Sequence, residues 1–353
     1  MMKYNAELDD LIMTLVKEGG SDLHLIVGSF PVVRVNGELT SLVRKYEIKP
    51  EDNVGFLNAM VGEKSFTNFV IKQELDFSYE HRGEYRLRGN ACFQKGFISI
   101  ALRLILKAKT IEELNLPPEL MEFSRRREGF FLVVGPVGQG KSTTLASMIS
   151  HINTESKRHI ITIEDPVEYI YEQDKSIIEQ REVGVDSESF PSALRHTFRQ
   201  DVDVILIGEM RDRDTISTAV TAAETGHLVF STLHANSASQ TIDRIIDVFP
   251  AEQQTQVRMQ LAASLIGILS QRLIPRISGG VIPVCELLVN TPAVANIIRE
   301  KRTHEIDMLI ETGSSEGMID FDRHLAELVR KGEVLKDVAK ERARRKSMFN
   351  RLV

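Results

Sequence analysis

Residues 135–142 have the composition and spacing that hold a phosphate group. They read Gly-Pro-Val-Gly-Gln-Gly-Lys-Ser and fit the pattern G-x-x-x-x-G-K-[ST]. In this pattern the glycines let backbone N–H groups turn toward an anion, the lysine reaches the β- and γ-phosphates, and the serine hydroxyl serves Mg²⁺. We therefore predict that this segment binds ATP and Mg²⁺. The residues assigned to it are Gly135, Pro136, Val137, Gly138, Gln139, Gly140, Lys141, Ser142 and Thr143.

The elements on either side of this loop fit a nucleotide site. The apolar run 130–134 precedes it, and a helix-like segment, residues 142–152, follows it. A helix that begins at the loop adds the positive end of its dipole to the site. An ordinary glycine-rich turn with a solvated lysine is the alternative, and the order strand, loop, helix favours phosphate binding over it.

Acidic residues follow the next apolar run, residues 159–163. Glu164, Asp165 and Glu168 place three carboxylates within five residues. Ligands of parallel α/β sheets lie beyond the carboxyl ends of the strands, so these side chains should lie beside the phosphate loop. One carboxylate can orient a water for in-line attack while another helps to hold the Mg²⁺ shell. A solvated acidic turn is the alternative.

Two further apolar runs also end in polar residues. After residues 204–207 comes Glu209, and an acid at this point in a phosphate-loop protein reaches Mg²⁺ through water. His227 and His234 bracket residues 228–232. A histidine at a strand end can hydrogen-bond a γ-phosphate and respond to its loss, although a lone histidine is more often structural.

Composition sets the limits of the remaining interpretation. At 353 residues the chain exceeds a usual single core, so two domains are expected. The net charge of −6 provides no overall positive potential that would attract nucleic acid, and we expect no direct nucleic-acid contact. Two distant cysteines cannot build a tetracysteine zinc site. The absence of an apolar signal core or a run of about 20 apolar residues predicts a cytoplasmic protein.

The first hundred residues predict a small α+β domain. An amphipathic helix over 7–18 precedes short strands joined by a tight turn at Asn36-Gly37, and a helix over 51–73 precedes alternating strands up to Leu106. A polar linker is expected between residues 105 and 112. Arg86 and Arg88 are two residues apart in one strand and so share a face, with Arg103 in a neighbouring strand.

The rest of the chain predicts a parallel-sheet α/β domain, because buried strands alternate with helices. From Pro250 onward the period indicates mainly helix, with Leu261, Leu265, Ile268 and Leu269 on one face. The basic segment 340–351 is expected to be a solvated terminal helix, with docking to an acidic partner as the alternative.

Several segments together carry a family resemblance. The residues around the acids and histidines resemble the secretion-type ATPase superfamily, and residues 242–250, together with the short first domain, resemble the PilT/PilU family of type IV pilus retraction ATPases. The segments that carry the superfamily resemblance are residues 162–169, 180–184, 208–212, 222–228 and 232–235.

The resemblance implies a fold and an activity. It implies a PAS-like α+β domain at residues 1–107 and a RecA-like P-loop ATPase domain with C-terminal helices at residues 108–353. It also implies a homo-hexameric ring that hydrolyses ATP to retract type IV pili. The implied partners are a pilus inner-membrane platform protein and a paralogous retraction ATPase. The implied location is peripheral, at the cytoplasmic face of the inner membrane.

The resemblance also implies residue roles. Lys141 and Ser142 match the Walker A pair, Glu209 the Walker B acid, Glu168 the catalytic glutamate and His234 the histidine-box residue. Glu164 is assigned to the metal site with Ser142 and Glu209, and His227 to the nucleotide. In rings of this kind the first domain of one subunit covers the nucleotide of the next, so Arg86, Arg88 and Arg103 are candidates for a contact to phosphate in trans.

Alternatives to a main retraction motor stay open. Residues 292–299 lack the early arginine of the retraction motif, which is compatible with a PilU-like accessory ATPase. An assembly ATPase of pili or of type II secretion uses the same core. A RecA-like nucleic-acid motor is a further alternative, disfavoured by the acidic charge balance.

Overall fold

Two units of the chain, Met1–Lys107 and Ala108–Val353, each enclose their own apolar cores. The computed structural model describes residues 2–35 and 37–353. Among these residues, no helix combines the length and the apolar character that crossing a bilayer requires. Cys92 is half-buried and Cys285 is buried, and both are free thiols.

The first unit is an antiparallel sheet with two helices. Its strands follow the order β3-β2-β1-β6-β5-β4, and each neighbouring pair runs antiparallel. The helices are α1 (Met2–Lys17) and α2 (Pro50–Lys72), and the strands are β1 (Gly20–Leu25), β2 (Val32–Val35), β3 (Glu38–Ser41), β4 (Glu74–His81), β5 (Tyr85–Gln94) and β6 (Phe97–Lys107). The α+β prediction is confirmed. Asn36 of the predicted turn lies outside the described residues, and Gly37 beside it has φ of 88°.

The apolar period of the first helix explains its packing. Leu8, Leu11, Ile12 and Leu15 recur at helical spacing, and all four are buried against the sheet. The helix begins five residues earlier than predicted, because its first turn carries little of the apolar period. In α2 the helical backbone is interrupted at Gly62, whose φ of 77° and ψ of 166° suit glycine far better than any other residue.

The second unit is built on one mixed sheet. The strands of this sheet are β7 (Gly129–Val134), β8 (His159–Glu164), β10 (Ile177–Glu182), β11 (Val204–Ile207), β12 (Leu228–Leu233), β13 (Leu265–Pro275) and β14 (Val281–Val289), and the two-residue strand β9 (Tyr169–Ile170) lies outside it. Its helices are α3 (Glu119–Arg125), α4 (Lys141–Glu155), α5 (Phe190–Thr197), α6 (Arg213–Glu224), α7 (Ala238–Asp247), α8 (Ala251–Ser264), α9 (Pro292–Arg299), α10 (Ile306–Thr312), α11 (Phe321–Arg330), α12 (Lys336–Arg342) and α13 (Lys346–Leu352). Short 3-10 turns occupy Thr303–Glu305 and Gly313–Glu316.

The sheet order β10-β8-β11-β12-β7-β13-β14 places the phosphate loop at the centre of the unit. The strands from β10 to β13 run parallel, and β14 is antiparallel to β13. Every residue of β7 and of β12 is buried because helices cover both faces. Alternate residues of β7 therefore enter different cores: Phe130 packs with α6 and α8 residues, and Phe131 packs with α3 and α4 residues.

The helical prediction for residues 265–289 is wrong. Helix α8 ends at Ser264, and the chain continues as the β13–β14 hairpin that extends the sheet. Ile268 and Leu269, predicted on one helical face, point to opposite faces of the sheet and enter different cores. A short apolar run with residues at i, i+3 and i+4 fits a strand buried on both faces equally well, so periodicity alone could not separate the two.

Helices follow this hairpin to the end of the chain, as predicted. Phe321, Leu325 and Phe349 bring the last helices onto Ile274 and Ile282 at one end of the hairpin, where all five side chains are buried. The C-terminal helices thus pack on the same pair of strands that borders the phosphate loop.

Candidate nucleotide site

A cleft of about 320 Å³ lies at the carboxyl ends of the central parallel strands. The loops that follow β7, β8, β11 and β12 each bring polar residues to it. Its lining includes Val137, Gly138, Lys141, Ser142, Glu164, Asp165, Glu168, Tyr169, Glu209, Arg211, Thr232 and His234. The structure therefore brings together residues that are as much as 97 positions apart in sequence, from Val137 to His234.

The phosphate loop lies tightly against β13. A Cβ atom at Gly135 would stand 2.6 Å from the backbone oxygen of Gln271, and one at Gly140 would stand 3.0 Å from the Nε2 atom of the same glutamine. Gly140 also has φ of 78°, in the left-handed region that favours glycine. Gly135 requires glycine because the strand backbone is so close, and Gly140 requires it because of its left-handed backbone.

Gln139 and Gln271 hold the loop in this position by hydrogen bonds. The Gln139 Oε1 atom accepts from the Leu273 backbone N–H at 2.8 Å, and the Gln139 backbone oxygen accepts from the Gln271 Nε2 atom at 2.8 Å. The Gln271 Oε1 atom also accepts from the Thr144 hydroxyl at 2.7 Å. Sequence reasoning missed Gln271 and Leu273, because it assigned their strand to a helix.

The start of α4 is suited to an anion. Gly140 is its N-cap residue, and no side chain among the described residues caps the helix there. The first N–H groups of a helix have no partner within it, so this end can bind phosphate oxygens. Thr143 in the first turn pairs its hydroxyl with the Tyr169 hydroxyl at 2.7 Å, and burial raises the pKa of that tyrosine.

Lys141 is a buried cation with neutral oxygen partners. Its side chain is bonded to the backbone oxygens of Gly135 at 3.1 Å and Pro136 at 3.0 Å, and the residue is 9% exposed. Burial lowers the pKa of Lys141, and the nearby Glu209 and Glu168 carboxylates act in the opposite direction. An anionic phosphate would offset this burial, so the environment fits a phosphate ligand.

His234 connects Lys141 with Glu209. Its Nδ1 atom lies 3.5 Å from the Lys141 Nζ atom, and its Nε2 atom lies 3.1 Å from the Glu209 Oε1 atom. The other Glu209 oxygen accepts from Arg211 at 2.8 Å. Arg211, which sequence reasoning did not single out, is also 4.0 Å from Asp165. Arg211 belongs to the segment 208–212 that carried the family resemblance. The resemblance therefore indicated that this segment lies at the site, but it did not indicate the bond from Arg211 to Glu209.

The acids after β8 lie in different environments. Glu164 is 7% exposed, and its carboxylate accepts from the Thr162 hydroxyl at 2.7 Å and from the Glu168 backbone N–H at 3.4 Å. Burial raises the pKa of Glu164 to about 6. Asp165 and Glu168 are exposed. Glu164 is thus a fixed acid that holds the backbone of this turn, while the Glu168 side chain is accessible to water from the cleft.

The donor set fits a magnesium ion that is shared with a nucleotide. Ser142, Glu164 and Glu209 line one cleft, but no group of three or more histidine, cysteine, aspartate or glutamate residues in the described chain is arranged to hold a metal ion. Mg²⁺ is commonly bound by one or two carboxylates together with substrate phosphates and waters. A site completed by phosphate oxygens therefore agrees with these residues.

His227 does not belong to this site, and its predicted contact with the nucleotide is wrong. It precedes β12 at the amino end of the sheet, whereas the cleft lies at the carboxyl end, roughly 20 Å away over six residues of strand. Its Nδ1 atom is 3.0 Å from the Ala222 backbone oxygen, and its ring meets Phe198 edge-on. His227 precedes β12 and His234 follows it, so the two histidines lie at opposite ends of that strand.

The arginines of the first unit share one exposed face of its sheet. Arg88 in β5 pairs directly with Arg103 in β6, and Arg86 lies two residues from Arg88. The Arg86 Nε atom donates to the Ser78 hydroxyl at 2.9 Å, and the Arg103 Nε atom donates to Asp22 at 2.8 Å. Their proposed contact with phosphate in a neighbouring subunit stays a prediction.

Comparisons with known proteins show the family of this chain. Residues 99–347 match the family model described as type II/IV secretion system protein. The type IV pilus retraction ATPase PilT of Pseudomonas aeruginosa is 42% identical over 342 residues, which cover 96% of this chain and 98% of that protein. The type IV pilus ATPase PilU of the same organism is 41% identical over 330 residues, covering 93% of this chain and 86% of that protein.

A solved structure is similar over nearly the same extent. The crystal structure of the pilus retraction motor PilT with bound ADP matches with a TM-score of 0.89 at 41% identity, covering 97% of this chain and 98% of that one.

Proposed function

Because this chain belongs to the type II/IV secretion system protein family, and within it to the PilT/PilU group of type IV pilus ATPases, we propose that it hydrolyses ATP to drive pilus retraction. The observation that best supports this proposal is the contact of Lys141, His234 and Glu209 at the mouth of the phosphate loop. These residues come from three different strand ends and converge where the γ-phosphate of a bound nucleotide would lie.

Each residue has a role in this proposal. The first N–H groups of α4 and the Lys141 ammonium bind the phosphates, and Lys141 stabilises the charge that develops on the transferring group. Ser142, Glu164 and Glu209 would hold Mg²⁺, which when bound would neutralise the charge of the β- and γ-phosphate oxygens. His234 donates to the γ-phosphate from its position beside Lys141. Glu168 accepts a hydrogen bond from the attacking water and aligns that water for in-line attack.

The assembly and location are part of the same proposal. The family membership supports a homo-hexameric ring that lies in the cytoplasm against the inner membrane. There it would act on a pilus platform protein, with a paralogous retraction ATPase as a second partner in the machine. ATP hydrolysis would then move the subunits of the ring relative to one another, and this movement would drive the removal of pilins.

An accessory retraction ATPase is a second candidate. PilU is almost as similar to this chain as PilT is, at 41% against 42% identity. Helix α9 (Pro292–Arg299) also lacks an arginine near its start. A main motor should retract pili without any other retraction ATPase, whereas an accessory one should require the main motor.

Complementation separates these functions. The chain is expressed in a piliated strain that lacks its own retraction ATPases, and pilus retraction is followed by fluorescence microscopy of labelled pili. We expect retraction with the wild-type chain and none with Lys141→Ala. Retraction only when a main motor is co-expressed would support the accessory role. No effect in either background, with normal expression and ring formation, would contradict the proposed function.

A further inference from the structure

The loop that carries His234 is held by arginines that do not line the cleft. It joins β12 to α7, and its backbone and side-chain oxygens accept from arginines of other elements. Arg244 of α7 donates to the His234 backbone oxygen, and Arg272 of β13 donates to the Asn236 Oδ1 atom at 3.0 Å. The position of the His234 side chain therefore depends on contacts made to the loop that carries it.

Arg344 makes the most extensive of these contacts. Its Nη2 atom donates to the Asn236 backbone oxygen at 2.8 Å and to the Ser270 hydroxyl at 3.1 Å. The Ser270 hydroxyl in turn donates to the same Asn236 oxygen at 3.1 Å. Arg344 thus reaches, from a point nine residues before the end of the chain, a loop residue two positions from His234.

Glu286 fixes the other side of this guanidinium. The Glu286 carboxylate is paired with the Arg344 Nη1 atom, and its Oε1 atom accepts from the Ala238 backbone N–H at 3.0 Å. The Glu286 side chain is only 6% exposed, and a buried carboxylate of this kind needs a paired cation. Glu286 therefore joins Arg344 to the first residue of α7, where the His234 loop ends.

The segment around Arg344 packs against helix α11, so the predicted solvated helix is wrong for this part of the basic segment. The Arg344 guanidinium lies over the Phe321 ring, 4.4 Å from its centroid. The backbone N–H groups of Arg344 and Arg345 donate to the buried Asp322 at 2.9 and 2.8 Å. The C-terminal helices thereby determine where the Arg344 side chain points.

We propose that Arg344, anchored on Glu286, is a positioning residue that holds the His234 loop in its catalytic place and links the C-terminal helices to ATP turnover. The inference rests on the proposed ATPase function, and it adds a residue that touches neither nucleotide nor reacting atoms. A displacement of the C-terminal helices would release the Asn236 oxygen and shift His234 relative to Lys141 and Glu209. Turnover would then depend on how these helices are packed.

The first test compares four variants of the full-length chain with the wild type: Arg344→Ala, Arg344→Lys, Glu286→Gln and the exposed control Arg351→Ala. We expect Arg344→Ala to lower kcat roughly tenfold to a hundredfold, since small misplacements of catalytic groups have effects of this size. The Kd for ADP should change less than about twofold, because the phosphate loop is untouched. Arg351→Ala should behave as wild type in both measurements.

Arg344→Lys separates positioning from stability. A lysine keeps a charge for Glu286, so the Tm should stay close to that of the wild type, but a single ammonium cannot bond Glu286 and the Asn236 oxygen together as the arginine fork does. We expect kcat to remain low in this variant. Glu286→Gln should lower kcat as well, and the double variant Arg344→Ala with Glu286→Gln should be no slower than Arg344→Ala alone, since the residues act as one unit.

Hydrogen exchange provides a readout that does not need turnover. In Arg344→Ala the amides of residues 234–238 should exchange faster than in the wild type, while those of α4 should not change. Unchanged exchange in the 234–238 segment would overturn the inference even if the wild-type chain proved inactive, an outcome that would separately contradict the proposed function. Two further results would overturn the inference. One is a wild-type kcat in Arg344→Lys, and the other is a fall of kcat in Arg344→Ala that only matches the loss of folded protein.

Discussion

The Gln139 side chain accepts a hydrogen bond from the Leu273 backbone N–H at 2.8 Å, so the phosphate loop is joined to the strand beside it. A serine at this loop position would be too short to make the contact. The longer side chain thus gives the loop of this chain an added connection to β13, next to the Gln271 bonds.

Replacement of Gln139 by serine should therefore weaken the fold more than it weakens catalysis. The Leu273 N–H would lose its partner in a partly buried place, which costs about 1–3 kcal/mol. We expect a lower free energy of unfolding in Gln139→Ser, measured by urea denaturation, with kcat within a few-fold of wild type. Val137→Ser, at an exposed position of the same loop, is the control. Equal stability of Gln139→Ser and the control would show that the bond contributes nothing.

The burial of Glu164 should make stability depend on pH. Its pKa is raised from the usual 4.5 to about 6, so the folded chain binds a proton here more tightly than the unfolded chain does. The resulting stabilisation is fully present below pH 4.5 and is lost as pH rises through 6, an effect of about 2 kcal/mol. Unfolding of the nucleotide-free chain at pH 4.5–7.5 should show this loss relative to Glu164→Gln. A constant difference between the two proteins across that range would contradict the assignment.

The glutamates of this turn should respond differently to amide substitution. Glu168→Gln should bind ATP but not hydrolyse it, because the amide keeps the shape and loses the carboxylate that accepts a hydrogen bond from the attacking water. Glu164→Gln keeps an acceptor for the Thr162 hydroxyl and should retain part of the turnover. The amount of radiolabelled ATP that stays bound, unhydrolysed, to the isolated ring measures this effect. If Glu164→Gln retained unhydrolysed ATP and Glu168→Gln did not, Glu164 and not Glu168 would be the residue that orients the attacking water.

The arginine face of the first unit should act between subunits of a ring. We expect Arg88→Ala and Lys141→Ala each to be inactive, and their mixture to regain some turnover where one subunit supplies the arginine and its neighbour the phosphate loop. The mixture is repeated with Arg86→Ala and with Arg103→Ala. Arg44→Ala, which changes an exposed arginine of the same unit, should keep full activity.

Arginine-to-lysine changes at the responsible position should also lose activity, because the planar fork suits phosphate oxygens. No recovery in any of the three mixtures, with co-assembly shown by two affinity tags, would count against a contact in trans.

Local patterns predicted most of what lies along the central strands. The phosphate loop has fixed positions, and β11 is a continuous apolar run, so both could be recognised without tertiary information. Because parallel strands end at a common edge, the convergence of Lys141, Glu164, Glu209 and His234 also followed from the order of elements.

What the sequence did not predict depends on contacts between distant residues. Gln271 could not be recognised as a support of the phosphate loop, because a run that fits both helix and strand was assigned the wrong period. The prediction for His227 was mistaken because the residues before and after a strand lie at opposite edges of the sheet. Arg344 appeared as one charge in a basic run, and its partner Glu286 is 58 residues away.

Hydrolysis of ATP by the purified chain tests the central claim most directly. Phosphate release with Mg²⁺ is measured for the wild type, for Lys141→Ala and for the exposed control Lys157→Ala. We expect the wild type and the control to turn over ATP and Lys141→Ala to lose at least roughly a hundredfold in kcat, because electrostatic stabilisation of the transferring phosphoryl group supplies most of the catalysis. A wild-type chain that forms rings without hydrolysing ATP, or a Lys141→Ala chain that hydrolyses it at the wild-type rate, would contradict the account.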